Sequence, residues 1–285
     1  YQNFTKAARV LGSNQPNITH TMNKLEDQLH CVLFIRSNRG VTLTPEGENL
    51  YVRISSAAVQ IQDAEEELSA SASLSHGAIS ISATETALNI YLSEQLRGFH
   101  AQYPGIRLRI TNHSTLQAVQ AVKNGEVDFA VVTTPAETGS DLKRVALMPF
   151  NEILVGGPSF AELAGRTLAL QELIAYPLIM LENGSMSRIF YRQFFLEHNA
   201  ELKPDIEAGT TDQMLTLVRS DLGLAFVPEP MARGNLHRKR ILQMNLQEAI
   251  PSRSVCLVYD PRRPLNTAAR EFRHQMLESA KNKQK

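Results

Sequence analysis

Apolar residues recur at helical spacing from the start of the chain. Ala7, Ala8 and Leu11 share one face of a short helix, Gly12 and Ser13 interrupt it, and Asn14 is placed to cap a second helix whose Ile18, Met22 and Leu25 repeat at the same period. Two short amphipathic helices joined by a tight glycine turn form the pattern of a helix-turn-helix, although such pairs also occur in ordinary all-helical domains. In a helix-turn-helix the second helix enters the major groove and its N-terminal residues face base edges. Those residues are Gln15, Pro16, Asn17, Thr19 and His20, mostly short polar groups suited to hydrogen-bond readout. After Leu33-Phe34, the run Arg36 to Thr44 reads as a hairpin with Gly40 at its turn and Arg36 and Arg39 flanking the tip. A basic wing of that kind contacts phosphate or the neighbouring minor groove. With Lys6, Asn14 and Lys24 added, these residues are the expected DNA contacts.

From Pro45 onward the period becomes a heptad. Leu50, Ile54, Ala57, Ile61, Ala64 and Leu68 alternate in steps of four and three, while Gln60, Gln62, Asp63 and Glu65 to Glu67 fall on the other face. This is the seam of a dimerising helix, and a two-fold pair of reading heads matches palindromic half-sites. The alternative is a helix packed on its own domain. The stretch Ser69 to Gly77 then loses all periodicity and reads as a hinge of small polar residues.

Beyond Gly77, short apolar strands alternate with helices. Strands are expected at 79–82, 106–111, 127–132, 152–155, 178–181, 206–208 and 224–227, with helices at 88–103, 115–124, 187–198 and 212–220. Short connections between them predict parallel βαβ units. In open α/β sheets ligands sit beyond the C-terminal strand ends, where helix N-termini present free N–H groups. Small hydroxyl residues gather at those points: Thr84-Glu85-Thr86, Ser114-Thr115, Thr133-Thr134, Gly184-Ser185 and Thr210-Thr211. Each is also a natural helix N-cap, but five such clusters converging on one cleft favour a ligand site. Glu85 fits two roles there. It can accept from an amine or hydroxyl on a ligand, or it can be a first-turn acid favoured by the helix dipole. Phe226 and Pro228 are candidates for an apolar wall, whereas His113 reads as a surface loop residue.

Composition narrows the choices. The 285 residues suffice for about two domains, and Lys+Arg equals Asp+Glu at 29 each. That balance argues against a polyanion-coating protein. The local excess of Lys6, Arg9, Lys24, Arg36 and Arg39 over Glu26 and Asp27 suits a reading head used in two copies. Cys31 and Cys256 offer neither metal spacing nor a disulfide framework, and no metal or cofactor is expected. There is no signal segment and no apolar run of the ~20 residues a membrane span needs, so a soluble cytoplasmic protein is expected, with no membrane partner. No GxSxG, P-loop or GxGxxG motif opens a helix after a strand, which counts against an enzyme. Lobes of this kind also occur in solute-binding transport proteins, but these do not carry a helix-turn-helix.

The first segment closely resembles the DNA-binding domain of LysR-type transcriptional regulators. The resemblance is carried by Phe4-Thr5, Ala7-Ala8, Leu11, Gln15-Pro16, Ile18, Leu25-Glu26, Leu29, Leu33-Phe34, Arg36, Arg39-Gly40, Leu43-Thr44 and Gly47. Asn14 and Thr19 stand where that family usually has Ser, so the operator sequence is expected to differ, and His30, where Gly is usual, is expected to perturb only a local turn. The resemblance implies a multidomain protein: an all-α winged helix-turn-helix with a coiled-coil linker helix, followed by a two-lobed α/β periplasmic-binding-protein-like domain. The expected divisions are 1–43 for the DNA-binding domain, 44–70 for the linker helix and 71–76 for the hinge. Lobe I takes 77–150 and 256–285, and lobe II takes 151–255, with the chain expected to cross at 149–154, to return at 255–260 and to close with a helix at 267–280 on lobe I. The chain starts at Tyr1, after the point where the family's first helix ends, so that helix is expected to be absent. Implied partners are double-stranded operator DNA, a second copy of the chain as dimer or tetramer through antiparallel linker helices, RNA polymerase, and a small-molecule effector of the organic acid or anion class. The alternatives within the architecture are a ligand-independent or a redox-responsive regulator.

Overall fold

The computed structural model describes residues 2–37, 40–69 and 76–283. The chain divides into two compact units, Tyr1–Gln62 and Asp63–Lys285.

In the first unit, α1 (Phe4–Val10) and α2 (Gln15–Leu29) are joined by a turn in which Gly12 has φ +61°. Both helices are capped by asparagine: Asn3 Oδ1 accepts from Lys6 N at 3.0 Å, and Asn14 Oδ1 from Asn17 N at 2.9 Å. Pro16 lies in the first turn of α2, where its missing N–H costs nothing. His30 ends α2 in a left-handed conformation, φ +51°. A glycine adopts that conformation without strain, which accounts for the family's preference there. The hairpin β1 (Phe34–Ser37) and β2 (Gly40–Leu43) is antiparallel, and Gly40 pairs with Ser37 as the first residue of β2 rather than forming the turn. Glu26 ties this wing to α2 by accepting from Leu33 N at 2.7 Å and Phe34 N at 3.0 Å. Helix α3 (Pro45–Ser69) follows. Its Gly47 permits the close approach, since a Cβ there would lie 2.2 Å from the Leu33 carbonyl oxygen.

The second unit contains two sheets. The first is built from β3 (Gly77–Ala83), helix α4 (Glu85–Ala87) running through a π-helical turn at Leu88–Leu92 into α5 (Ser93–Gln102), β4 (Ile106–Asn112), α6 (Thr115–Asn124), β5 (Phe129–Thr133) and β6 (Lys143–Phe150). The second begins at β7 (Glu152–Gly156) and continues through α7 (Ala161–Ala164), β8 (Thr167–Leu168), β9 (Leu178–Leu181), α8 (Met186–Glu197), β10 (Ile206–Ala208), α9 (Thr211–Arg219), β11 (Leu224–Pro228), α10 (Glu229–His237) and β12 (Leu242–Leu246). The chain then returns to the first sheet with β13 (Arg253–Tyr259) and closes with α11 (Thr267–Lys283). Strand orders are β4-β3-β5-β13-β6 and β10-β9-β11-β7-β12-β8.

Alternation along the strands gives each sheet two buried faces. Phe129 and Val131 pack with Phe99, Phe272 and Met276, while Ala130 and Val132 pack with Ala118, Val119 and Val122 of α6. In the second lobe Leu178, Met180 and Phe226 meet Tyr191, Phe194 and Phe195 of α8. Their neighbours Ile179, Ala225 and Val227 meet Met214, Leu215 and Val218 of α9.

The structure corrects the sequence expectations in several places. The sheets are mixed rather than parallel throughout: β13 is antiparallel to β5 and β6, and β7 is antiparallel to β11 and β12. A strand that arrives from the neighbouring lobe has no crossover helix to return it in parallel. The outward crossing is confined to Asn151, between β6 and β7, and is shorter than the expected 149–154. The return crossing lies before Arg253, so the expected 255–260 segment belongs, as far as Tyr259, to β13 of the first sheet. The helix expected at 88–103 begins at Glu85, and β6, α7, β8, α10 and β12 are additional elements.

Candidate functional site

The reading head presents the N-terminal end of α2 to solvent. Asn14, Gln15, Pro16, Asn17, His20 and Lys24 are exposed, as is Lys6 on α1, while Thr19 is half-buried. Gln15 Nε2 donates to Thr19 Oγ1 at 3.2 Å, which orients the glutamine along the helix. Arg36 is engaged within the unit: its guanidinium donates to Asn23 Oδ1, lies 3.7 Å from Glu26 and sits over the Phe4 ring at 5.2 Å. It anchors the wing while its side chain stays 41% exposed. Arg39, at the wing tip, lies outside the described residues. On α3, Ile54 and Ile61 are 51% and 62% exposed, Ala57 is exposed and Leu50 half-buried, which leaves this part of the seam without a cover in its own unit. The side chains of Ala64 and Leu68, and the hinge residues 71–75, lie outside the described set. An open apolar hollow of about 600 Å³ is lined by Phe4, Ala7, Leu11, Ile18, Met22 and Phe34 among others.

In the second unit the strand ends place the hydroxyl residues as caps. Thr84 Oγ1 accepts from Ala87 N, Ser114 forms a reciprocal capping box with Gln117, Ser185 Oγ accepts from Arg188 N, and Thr210 Oγ1 accepts from Gln213 N. Capping and cleft-lining turn out to be compatible roles. Thr84, Glu85, Thr86, Ser114, Thr115, Thr133, Ser185, Thr210 and Thr211 all border one cavity of about 310 Å³ between the lobes. Asn112, His113, Gln117, Leu181, Glu182, Met186, Ser187 and Gly209 complete its wall. That volume is within the small-molecule range.

Two groups stitch the lobes together beside this cavity. Glu85 of the first lobe reaches the N-terminus of α9 in the second, its Oε2 accepting from Thr211 N at 2.7 Å, and Thr86 Oγ1 lies 3.4 Å from Thr211 Oγ1. Burial outweighs that amide bond, so the Glu85 carboxyl titrates above its ordinary 4.5. At the crossing itself, Arg253 of β13 pairs with Glu152 of β7 at 2.5 Å; both are almost fully buried. Arg253 also donates to the Thr134 carbonyl at 2.5 Å, Thr133 Oγ1 at 3.1 Å and Ser187 Oγ at 3.0 Å, and stacks between Phe150 and Phe190. Behind it lies a chamber of about 10 Å³, lined by Glu152, Arg188, Tyr191, Phe226, Pro228 and Arg253 among others. That is about the space of one water molecule. The buried Tyr191 hydroxyl and Arg188 Nε border this chamber without a hydrogen-bond partner among the described residues. Burial raises the Tyr191 hydroxyl well above its ordinary range.

Residues 72–281 match the family model described as the LysR substrate binding domain, and residues 1–48 match the bacterial regulatory helix-turn-helix protein of the lysR family. The chain belongs to the LysR family of transcriptional regulators. Among curated relatives of this LysR-type regulator, the HTH-type transcriptional regulator YofA of Bacillus velezensis is 28% identical over 269 residues, covering 94% of this chain and 90% of the relative. The HTH-type transcriptional regulator BbuR of Bordetella bronchiseptica is 30% identical over 243 residues, covering 82% and 74%. Full-length CbnR in complex with its target DNA shares the fold at TM-score 0.74 and 19% identity, covering 98% of this chain and 94% of that one. The effector binding domain of QuiR in complex with shikimate does so at TM-score 0.65 and 20% identity, covering 73% and 99%.

Measured against the sequence reading, four expected cleft residues of the LysR-type regulator stand aside from the cavity. Thr134 is held in the crossing, its Oγ1 accepting from Ser254 N at 2.9 Å. Gly184 supplies a turn at φ +93° ahead of α8. Phe226 and Pro228 border only the inner chamber. His113 lies in a loop, as expected, and also lines the cavity. It is a cleft residue whose Nδ1 lies 2.9 Å from the buried Ser82 hydroxyl, and its position directly after β4 was the available signal. Arg253 and Glu152 had no local signal at all, being 101 positions apart.

Proposed function

We propose that this LysR-type regulator binds a small effector in the cavity between its lobes and converts closure around it into a change in how two reading heads engage DNA. The single observation that carries the reading is the cavity of about 310 Å³ lying where Glu85 meets Thr211 across the cleft. A ligand that strengthens or displaces that bond binds one lobe arrangement better than the other, which is the condition for a switch. The exposed Ile54 and Ile61 on α3 support a dimer through the linker helices, with tetramers through lobe contacts. Gln15, Asn17 and His20 read bases; Lys6, Lys24 and Arg39 contact phosphate. QuiR bound to shikimate and the CcmR regulatory domain bound to 2-PG are structural neighbours that support an effector reading of the same fold. The curated relatives are named as transcriptional regulators, and the protein acts without catalysing a reaction, inside the cytoplasm, with RNA polymerase as a further partner. No helix among the described residues is long and apolar enough to cross a membrane.

The test is a thermal-shift screen of the full chain against metabolites, followed by footprinting on bound genomic fragments with and without any hit. A saturating rise in Tm together with an altered footprint supports the reading. A hit that leaves every footprint unchanged overturns the coupling.

A further inference from the structure

The charges around the cavity restrict what it accepts. Among the described residues that line it, two are acidic, Glu85 and Glu182, and none is a lysine or arginine. Of the guanidiniums that line the neighbouring chamber, Arg253 is paired with Glu152, and Arg188 donates to the Leu181 carbonyl and lies 3.5 Å from Glu207, with its Nε alone unpartnered among the described residues. Helix N-termini are the usual alternative anchor for an anion, but two of those facing the cavity are already filled from within the chain. The capping box of Ser114 and Gln117 closes α6. At α9, Glu85 Oε2 occupies Thr211 N and Thr210 Oγ1 takes Gln213 N. A bare anion entering here meets two carboxylates and, among the described lining residues, no lysine or arginine, and at α9 it competes with a carboxylate covalently fixed in place.

A group with N–H donors and positive charge meets the opposite situation. Glu182 stands at the end of β9, next to Gly209, whose missing side chain leaves room beside the carboxylate: a Cβ there would lie 3.3 Å from Glu182 Oε1. The Glu85 carboxylate accepts from Thr211 N, Asp212 N and the Thr210 hydroxyl, which leaves acceptor capacity among its about four lone-pair sites. Hydroxyls of Thr84, Ser114 and Thr133 provide donors and acceptors for the remainder of such a ligand.

We propose that the effector of this cleft carries a protonated amine, held by the carboxylates of Glu85 and Glu182. The inference rests on the effector reading above and replaces the organic-acid expectation with a cationic or zwitterionic ligand class. The experiment uses the full chain and matched pairs of probes: α-amino acids and primary amines, each with the acid or alcohol that lacks the amine, plus inorganic phosphate and sulfate. The expected result is a saturating rise in Tm with at least one amine-bearing probe and none with its amine-free partner. Glu182→Gln and Glu85→Gln, both of which keep size and hydrogen-bond capacity, should each weaken Kd by about tenfold or more. Their unliganded Tm reports whether each variant is folded. Binding of phosphate, sulfate or an amine-free acid in preference to every amine overturns the proposal while leaving an effector site standing. Silence from both sets overturns the proposal and the effector reading together.

Discussion

Replacing Arg253 by alanine strands the Glu152 carboxylate in the crossing between the lobes. Both side chains are almost fully buried, 4% and 2% exposed, so no solvent path rescues the remaining charge. Removing one partner of a buried ion pair costs about 3–5 kcal/mol, mostly through the uncompensated charge. The Thr134 carbonyl, Thr133 Oγ1 and Ser187 Oγ lose a donor at the same time. For a unit of this size each kcal/mol moves Tm by about 2–4 °C, so Arg253→Ala should melt about 6–20 °C lower. The chain has no tryptophan, and the transition is best followed by far-ultraviolet circular dichroism or tyrosine fluorescence. The diagnostic variant is Arg253→Met with Glu152→Leu. Replacing both charges with apolar groups removes the stranded carboxylate, and the double variant should lie within about 2 kcal/mol of the parent, far above the sum of the single losses. A single loss under about 1 kcal/mol, or a double variant as unstable as that sum, would refute the account, because Glu152 would then be compensated by something other than Arg253.

Further outcomes follow from the same geometry. The folded Glu85 carboxyl titrates above 4.5, so between that value and its raised one the folded chain holds more protons than the unfolded one. The wild type should therefore gain stability relative to Glu85→Gln as pH falls through that window, measured as the Tm difference from about pH 8 to pH 4; a relative loss on acidification would mean that the Thr211 amide bond outweighs burial. Gly47→Ala drives a methyl group into the Leu33 carbonyl, should cost the reading head about 1–3 kcal/mol or more, and should abolish DNA binding in a mobility-shift assay while ligand-induced shifts persist. Ile54→Asp with Ile61→Asp should convert dimers to monomers in analytical ultracentrifugation, and an unchanged sedimentation coefficient would remove α3 from the interface.

What was legible in the sequence depended on how local its cause is. Helix-turn-helix residues lie within one short window, and their period, caps and glycine turn are properties of that window; Asn14 capping Asn17 N is readable from spacing alone. The strands of both lobes were visible as apolar runs because both faces of each sheet are covered, but that same covering hides their direction: a buried antiparallel strand such as β13 reads like a parallel one. The cleft was legible through rules about strand ends, which located Thr84, Ser114 and Thr210 but carry no information on which end faces which across the gap. Thr211 meets Glu85 over 126 positions, and Arg253 meets Glu152 over 101. Neither pair leaves a trace in the local pattern. Arg253 in sequence is one cation among 29 basic residues, and only the fold makes it the buried group that the crossing is built around. The residues that couple the lobes are thus the ones sequence periodicity does not reveal. The same holds for selectivity, since the sign of the cavity's charge comes from Glu85 and Glu182, placed together by two different sheets. A search for the effector directed by the hydroxyl caps alone would begin with anions; the carboxylates that share their cavity direct it to amines.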